Sequence, residues 1–352
     1  MTGRARHRRT AGVLFASARS QSAFAVSSGS PSSDATPPIV SRHGFTWRDG
    51  AYNGHEQKEQ TTVRKRIDRE LKIGVGIPLT EHSPDPFRLG QMVEDRGFES
   101  LFLAEHTHIP VATKSPSPDG KPLTPEHSAT FDPFVALAAV AVGTERLRIG
   151  TGIALVTQRD PVIMAKETAT LDHMSNGRLL LGVGAGWNLE ELRTHGTDPS
   201  TRFDVMRERV EAIKRIWTED EPSYQGKYVA FDPIWCWPKP VQKPHPPVLI
   251  GGNGPKAIDR VLAFGDEWMP LGVDESFIPR FDELQRRALE AGRDPVPITA
   301  GGMPTEPTHF DWLASVGVTR GIYWLPGGPP EAVEKELDKC AEAMEVYRRS
   351  GG

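Results

Sequence analysis

The chain has little cysteine, no long apolar run and only a small excess of charge. Its 352 residues include two cysteines, Cys236 and Cys340, which argues against a disulfide scaffold and a cysteine-rich zinc site. The longest uninterrupted apolar stretch, Phe134 to Val142, has 9 residues, whereas a membrane span needs about 20. The formal net charge of −4 favours neither nucleic acid nor an acidic membrane as a partner. The sequence therefore predicts a globular cytoplasmic protein with a small-molecule partner.

The N-terminal residues differ from the rest of the chain. Residues 1–33 contain five arginines and neither Asp nor Glu. Organelle transit peptides have this composition, but we favour either a disordered tail or a start codon assigned too far upstream. The apolar run Ala11–Ala18 is short and is interrupted by Ser17, which argues against a secretory signal. We predict a disordered extension over residues 1–68 and one domain over residues 69–350.

From Leu71 onward, short β-rich runs alternate with amphipathic segments. Eight strands are predicted, at Lys72–Gly76, Ser100–Ala104, Leu147–Ile153, Leu179–Val183, Val248–Gly251, Glu267–Leu271, Ile298–Gly301 and Gly321–Leu325. A helix-compatible segment follows each one, so the strands are expected to be parallel. This repetition predicts an α/β fold, the (β/α)8 TIM barrel, with a doubly wound open sheet as the alternative. Two insertions are expected, at Glu105–Phe131 and Thr218–Pro247, because both connections exceed ordinary loop lengths.

Two histidines, His106 and His108, follow the second predicted strand. Because residues i and i+2 of an extended segment face the same way, the pair could bind a metal. Alternatively, one of them donates a proton or a hydrogen bond to a bound ring, or neither has a role. Zinc needs at least three protein ligands, and strands four to eight end without His or carboxylate, so we predict no metal site. A Schiff-base aldolase is also disfavoured, because no strand interior carries a suitable lysine.

Glycine-rich runs end several predicted strands. Gly150–Ile153 ends the third, and Gly182–Trp187 ends the fourth but fails the dinucleotide fingerprint, whose third glycine would fall at Trp187. Such runs let a flat ring approach the backbone closely, with Trp187 beside it to stack. Gly251–Lys256 precedes a helix, where free amides favour a phosphate. A plain turn is the alternative at each run, but together they favour a cofactor that brings its own chemistry.

Several of these motifs, taken together, resemble the luciferase-like monooxygenase superfamily. They are Leu147–Gly152, Leu171–Arg178 and Leu181–Trp187. Two further motifs, Trp235–Pro240 and Val248–Gly252, resemble its coenzyme F420-dependent branch. The resemblance covers residues 70–345 and implies a (β/α)8 barrel, usually a homodimer, with a flavin-type ring at the C-terminal mouth.

The resemblance also implies roles for individual residues. Glu105 and His106 match an acidic-His pair in which the His lies by the deazaflavin and assists hydride transfer, so His106 is the predicted catalytic residue. Gly152–Ile153 matches a non-proline cis peptide that supports the ring, and Gly251–Gly252 matches the cofactor-phosphate loop. Sugar-phosphate dehydrogenases of the family carry a catalytic Glu where this chain has Trp187, which argues against glucose 6-phosphate as substrate. The predicted cofactor-binding residues are Glu105, His106, Thr151, Gly152, Ile153, Gly184, Ala185, Gly186, Trp187, Gly251, Gly252, Asn253 and Gly254.

The sequence thus predicts an F420-dependent oxidoreductase that transfers a hydride, or activates oxygen, with a small organic substrate. FMN is the alternative cofactor, and it would make the protein an FMN-dependent monooxygenase. F420 has the longer anionic tail, so basic contacts beyond the phosphate loop would favour it, and Lys256 is one candidate. A metal-dependent barrel hydrolase and a non-catalytic cofactor-binding barrel are the remaining alternatives.

Overall fold

The computed structural model describes residues 70–117 and 120–351. The predicted extension over residues 1–68 lies outside these ranges. The strands are β1 (Lys72–Ile77), β2 (Ser100–Leu103), β3 (Arg148–Thr151), β4 (Ala154–Leu155), β5 (Leu179–Gly184), β6 (Tyr224–Gln225), β7 (Ala230–Phe231), β8 (Val248–Gly251), β9 (Glu267–Met269), β10 (Thr299–Gly301) and β11 (Arg320–Trp324). The α-helices are α1 (Pro86–Asp95), α2 (Glu126–Ala129), α3 (Pro133–Gly143), α4 (Pro161–Met174), α5 (Leu189–Thr194), α6 (Arg202–Thr218), α7 (Ala257–Phe264), α8 (Ile278–Glu290), α9 (Pro307–Ser315) and α10 (Pro330–Arg349).

Eight parallel strands form the barrel wall. Their order is β1, β2, β3, β5, β8, β9, β10 and β11, with β11 paired to β1 and the short β4 extending the wall beside β5. Between β9 and β10 the wall closes through two parallel bridges, Trp268 to Ile298 and Leu271 to Gly301. The (β/α)8 prediction is confirmed, and the open-sheet alternative is wrong.

Side chains alternate along each strand and divide the core into two parts. Inside the barrel, a small cluster contains Phe102, Leu180, Leu249, Met269 and Ile322. A larger cluster fills the space between the strands and the surrounding helices. Glycines opposite aromatic rings make the inner packing possible. A Cβ on Gly150 would lie 2.6 Å from the Phe102 ring, and one on Gly76 would lie 2.6 Å from the ring of Trp324.

Asp–Pro pairs begin two of the helices that brace the mouth. The Asp132 carboxylate accepts the N–H groups of Phe134 and Val135, and that of Asp160 accepts those of Val162 and Ile163. Such a cap stabilises a helix by about 1 kcal/mol, and Pro in the first turn lacks only an N–H that the helix would not use. These caps place helix starts at the C-terminal side of the barrel.

Both insertions pack against the barrel. The first insertion contains α2, and the second contains the β6–β7 hairpin. In the hairpin segment the N–H groups of Lys227, Tyr228 and Val229 donate to the Glu208 carboxylate of α6. In the second insertion Cys236 is buried while the side chain of Trp235 is exposed. Within the described ranges, no helix combines the length and apolar character that crossing a membrane requires.

Candidate functional site

The C-terminal ends of β2, β3, β5 and β8 lie next to one another and carry the predicted site residues. Because neighbouring strands pair in parallel, the segments that follow them gather at one mouth. Three segments with several predicted residues meet there: residues 151–153, Gly184–Trp187 and Gly251–Gly254. The structure therefore brings these three predicted segments together on one face of the barrel.

His106 is held by a carboxylate that the sequence reasoning did not identify. Its Nδ1 lies 2.8 Å from Oε2 of Glu191, and the two side chains are only 10% and 1% exposed. Glu191 Oε1 accepts the backbone N–H of Thr107 at 3.1 Å. An ionised carboxylate can only accept, so Nδ1 carries the proton. The other ring nitrogen, Nε2, remains available for proton exchange.

Glu191 stays ionised beside this imidazole. Burial alone would raise the pKa of the Glu191 carboxyl, but the hydrogen bond and charge of His106, with the Thr107 N–H, hold that pKa below its ordinary value. Glu191 sits in the first turn of α5, which Asn188 caps by accepting the Glu191 N–H at 3.1 Å. A fixed carboxylate in this position orients the imidazole and determines which ring nitrogen carries the proton.

Two further rings contact His106. The Trp187 ring meets it edge to face with centroids 5.2 Å apart, and the His127 ring lies 6.0 Å away at a tilt of 47°. Trp187 follows Gly186, whose φ of +80° is the left-handed conformation that favours glycine. The mouth thus has an aromatic wall built from the segments after β2 and β5 and from the first insertion.

Glu105 has partners that hold it against the backbone. Its carboxylate accepts the N–H of Leu155 at 2.6 Å and the Nε–H of Arg159 at 2.8 Å, and only 4% of the residue is exposed. Arg159 also binds Asp132. Glu105 therefore fixes the segment that follows the peptide between Gly152 and Ile153. Its contact with a cofactor stays a prediction.

The expected cis peptide between Gly152 and Ile153 is confirmed. The Ile153 side chain fills the space beside two glycines on neighbouring strands. A Cβ on Gly184 would lie 1.7 Å from Ile153 Cδ1, and one on Gly251 would lie 2.9 Å from Ile153 Cγ2. These two glycines therefore make room for Ile153. Thr151 is fully buried, and its hydroxyl donates to Gly182 O.

The loop after β8 presents open backbone. A Cβ on Gly252, whose φ is +111°, would meet nothing within 4 Å. The Asn253 side chain ties the loop to Leu271 through two hydrogen bonds, while Arg280 binds the carbonyls of Asn253 and Gly254 at 2.8 and 3.0 Å. The N–H groups of Asn253 and Gly254 have no partner among residues 70–117 and 120–351. Free amides beside an open glycine are the geometry of an anion cradle, and phosphate binding at this loop stays a prediction.

Two guanidinium groups that the sequence reasoning missed share one aromatic ring, and one of them, Arg260, lies next to this loop. Arg202 and Arg260 stand over the Phe203 ring, at 4.6 and 4.1 Å from its centroid. A Cβ on Gly254 would be 3.6 Å from Nη2 of Arg260. Burial first, and then the like charge of Arg202, lower the pKa of Arg260 despite the nearby Asp259. An anion bound beside Arg260 would offset the repulsion that Arg202 exerts on it.

Several residues of the mouth have the chemistry that a flavin-type ring with an anionic tail needs. Gly252 offers open backbone, Trp187 offers an aromatic ring, and the Arg202–Arg260 pair offers positive charge. The side-chain N–H groups of Asn188 and the indole N–H of Trp324 are buried without a partner in the described ranges. Within those ranges no group of three or more His, Cys, Asp or Glu side chains could hold a metal ion.

Comparison with known proteins shows which family and which relatives this chain is similar to. Residues 78–304 match the family described as luciferase-like monooxygenase. An uncharacterised protein of Mycobacterium tuberculosis is 39% identical over 279 residues, which are 78% of this chain and 99% of that protein. The F420-dependent glucose-6-phosphate dehydrogenase of Microbacterium testaceum is 31% identical over 53% of this chain and 52% of its own. The FMNH2-dependent dimethylsulfone monooxygenase of Pseudomonas putida is 30% identical over 44% of this chain and 43% of its own.

A solved structure confirms the fold. The monooxygenase RslO1 from Streptomyces bottropensis superposes with a TM-score of 0.66 at 19% identity, over 79% of this chain and 100% of that one. At this identity the likeness concerns the fold alone. The relatives divide between F420 and FMN, so the comparisons support an oxidoreductase or monooxygenase with a flavin-type cofactor.

Proposed function

The chain belongs to the luciferase-like monooxygenase family, and we propose that it is an F420-dependent oxidoreductase that transfers a hydride to or from a small organic substrate. The observation that carries the proposal is the His106–Glu191 pair at the barrel mouth, where the anion cradle and open backbone also lie. The site has a proton carrier and room for a ring but few other reactive side chains, which is the arrangement that cofactor-borne chemistry needs.

His106 is the catalytic residue of the proposed reaction. A bound deazaflavin would supply or accept the hydride, which carries two electrons. His106 Nε2 takes the proton that leaves the substrate and returns it in the reverse direction, while Glu191 holds Nδ1. Trp187 packs against the imidazole and shields it from water.

The anion cradle and the guanidinium pair would hold the negative part of the cofactor. The Asn253 and Gly254 amides suit one phosphate, and Arg202 with Arg260 lies beyond them on α6 and α7. These are basic contacts outside the phosphate loop, and a longer anionic tail uses them more fully than FMN does. They support F420 over FMN, and some relatives use F420.

Cofactor choice is tested by titrating the purified protein with F420 and with FMN. We expect F420 to bind at least ten times more tightly. Arg260→Ala should weaken F420 binding about tenfold or more, since hydrogen bonds to charged groups contribute about 1.5–3 kcal/mol. Arg286→Ala, an exposed arginine of α8 paired with Glu290, is the matched control. Tighter binding of FMN, with oxygen consumption, would identify an FMN-dependent monooxygenase instead.

Turnover is tested with F420 and a panel of ketones, alkenes and nitroaromatics. Oxidation or reduction of the cofactor must depend on the panel member. Tight F420 binding without any such turnover would identify a non-catalytic binding barrel, and stoichiometric bound zinc would identify a metal-dependent hydrolase.

We also propose that the protein is a cytoplasmic homodimer. Support for the dimer comes from α3, which exposes Val135 and Val142 to 74% and 66%, beside the half-exposed Phe87 of α1. An exposed apolar helix face of this kind is typical of a self-complementary interface. Support for a reducing compartment comes from Cys236 and Cys340, which are both free thiols.

A further inference from the structure

We propose that Thr107 and His195 are positioning residues for the His106–Glu191 pair, and that the charge on the exposed His195 decides how firmly the Glu191 carboxylate is held. The proposal rests on the proposed function, since it adds a means of regulation to the same site. It is carried by a series of side-chain contacts that leads from His106 through Glu191 and Thr107 to His195.

The two oxygens of Glu191 have different partners. Oε2 lies 2.8 Å from His106 Nδ1, whereas Oε1 accepts the Thr107 N–H at 3.1 Å and lies 3.4 Å from the Thr107 hydroxyl oxygen. Only 1% of the Glu191 side chain is exposed, so protein groups rather than bulk water hold it. Because a carboxylate is planar, the contacts at Oε1 fix the direction from which Oε2 meets the imidazole. Thr107 therefore helps to orient the His106 ring through Glu191.

The Thr107 hydroxyl connects this carboxylate to two further imidazoles. Its Oγ1 lies 2.7 Å from Nε2 of His195 and 2.9 Å from Nδ1 of His108. His195 directly follows α5 and is exposed, whereas Nε2 of His108 is buried with no partner in the part of the chain that the structure describes. A hydroxyl has one proton, so Thr107 can give it to only one of its three neighbours at a time. The carboxylate and the two imidazoles therefore compete for that proton.

The charge on His195 restricts this competition. A protonated imidazole carries a proton on each nitrogen and can only donate, so Thr107 must then accept from His195 and cannot give its own proton there. A neutral His195 can present an unprotonated Nε2, which takes the hydroxyl proton at 2.7 Å in preference to Glu191 Oε1 at 3.4 Å. His108 competes in both states and does not distinguish them. Charging His195 therefore favours the bond from Thr107 to Glu191, and neutralising His195 weakens it.

The groups around His195 set the pH at which its charge changes. Partial burial comes first, and together with the like charges of His108 and Arg159 it lowers the pKa of His195 from its ordinary value of 6.5. The carboxylates of Glu191 and Glu105 oppose this shift without cancelling it. His195 is therefore charged only in acidic solution, and it becomes neutral as the pH rises through a value below 6.5. The hold on Glu191 loosens over the same interval.

A pH titration of the full chain without cofactor tests the connection. The ¹⁵N-histidine-labelled protein is followed by long-range ¹H–¹⁵N NMR through the ring C–H protons, and the His106 signals are assigned by their loss in His106→Gln. We expect the Nδ1 chemical shift of His106 to change at the pH where the ring signals of His195 show its change of charge. That step should disappear in His195→Gln and in Thr107→Val, and it should remain in Thr107→Ser, which keeps the hydroxyl.

A matched control is Thr218→Val. It removes a hydroxyl that donates to Lys214 O at 2.8 Å at the exposed end of α6, and the His106 titration curve should not change. Identical His106 curves in the unmodified protein and in His195→Gln would overturn the proposal. A step at the His195 midpoint that survives in Thr107→Val would also overturn it, because the hydroxyl would then carry no connection.

Kinetics with F420 and the panel compound that turns over fastest test the role in the reaction. Thr107→Val should lower kcat about three- to tenfold, the range of one hydrogen bond, while affinity for F420 stays within about threefold. Thr107→Ser should recover most of the rate. The ratio of kcat in the unmodified protein to kcat in His195→Gln should be larger below the His195 midpoint than above it. An unchanged kcat in Thr107→Val, equal losses in the Val and Ser variants, or a ratio independent of pH would overturn the positioning role.

The two proposals fail in distinguishable ways. Failure of the unmodified protein to bind F420 would overturn the proposed function, whereas the connection from His195 to His106 would still stand or fall on the cofactor-free titration. Tight F420 binding with turnover, together with a His106 signal that ignores the charge on His195, would overturn the positioning role and leave the F420 assignment standing.

Discussion

Replacing Glu191 by Gln tests whether a fixed carboxylate sets the protonation of His106. The amide side chain has nearly the same size, and its oxygen can still accept the Thr107 N–H. At Oε2 the replacement puts an N–H2 group 2.8 Å from His106 Nδ1. That group donates, so the neutral imidazole must move its proton to Nε2.

The wrong tautomer can no longer accept the substrate proton. General acid–base catalysis by a positioned side chain contributes about 10²–10⁴-fold to a rate, so we expect kcat to fall by about 100-fold or more, equivalent to about 2.7 kcal/mol. Affinity for F420 should stay within about threefold, because Glu191 lies away from the anion cradle.

The assay is steady-state oxidation or reduction of F420 followed by absorbance, with F420 binding measured separately. Glu208→Gln is the matched control. That carboxylate is also almost fully buried and accepts backbone N–H groups, but its partners belong to the β6–β7 hairpin and not to His106. It should lose stability without losing turnover. A Glu191→Gln variant that binds F420 and keeps kcat within threefold of the unchanged protein would refute the reasoning.

Three other changes test the structure independently. Gly184→Ala places a Cβ 1.7 Å from Ile153 Cδ1. In urea unfolding it should destabilise the fold by about 1–3 kcal/mol, and it should also weaken F420 binding. A variant that keeps both its stability and its F420 affinity would contradict the packing described. Val135→Glu should shift the homodimer toward monomer in light scattering, whereas Val346→Glu, an equally apolar exposed site on α10, should not. The Glu208 pKa is lowered because three backbone N–H groups outweigh its burial. Its stabilisation is therefore present above the ordinary pKa of 4.5 and is lost as pH falls below it. Acid should lower the unfolding free energy less steeply in Glu208→Gln.

The barrel could be predicted from the sequence because each strand is short, apolar and followed by a helix with a clear start. All eight predicted strands occur, most with ends displaced by one or two residues. Val248–Gly251 matches its strand at both ends, and the predicted Leu147–Ile153 runs two residues past the end of β3, across the cis peptide that precedes β4. The glycine-rich strand ends were also recognised as places where another group can approach the backbone closely. Ile153 could not be recognised as the group that fills two of them, because its contacts cross from β3 to β5 and β8.

The basic pair escaped sequence reasoning for a different reason. Arg202 and Arg260 are 58 positions apart and lie in helices that look like ordinary amphipathic segments, α6 with four arginines and α7 with Arg260 alone. Only the packing of both guanidinium groups on the Phe203 ring separates them from the other arginines. Lys256, the basic candidate named from the sequence, stands at the start of the helix after the phosphate loop, and its contact with a cofactor stays a prediction.

A signal for Glu191 was nevertheless present in the sequence. Asn188 and Glu191 have the spacing of a capping box, in which the N-cap side chain binds the third helical N–H and the Glu side chain returns to the N-cap N–H. The structure keeps the first of these bonds and diverts the carboxylate to His106, 85 positions away in the sequence. Glu191 is not at a strand end. It lies in the first turn of α5, which nevertheless stands over the mouth. In a barrel, an acidic residue in the first turn of a helix that follows a glycine-rich strand end is therefore a candidate partner for a histidine on a neighbouring rim.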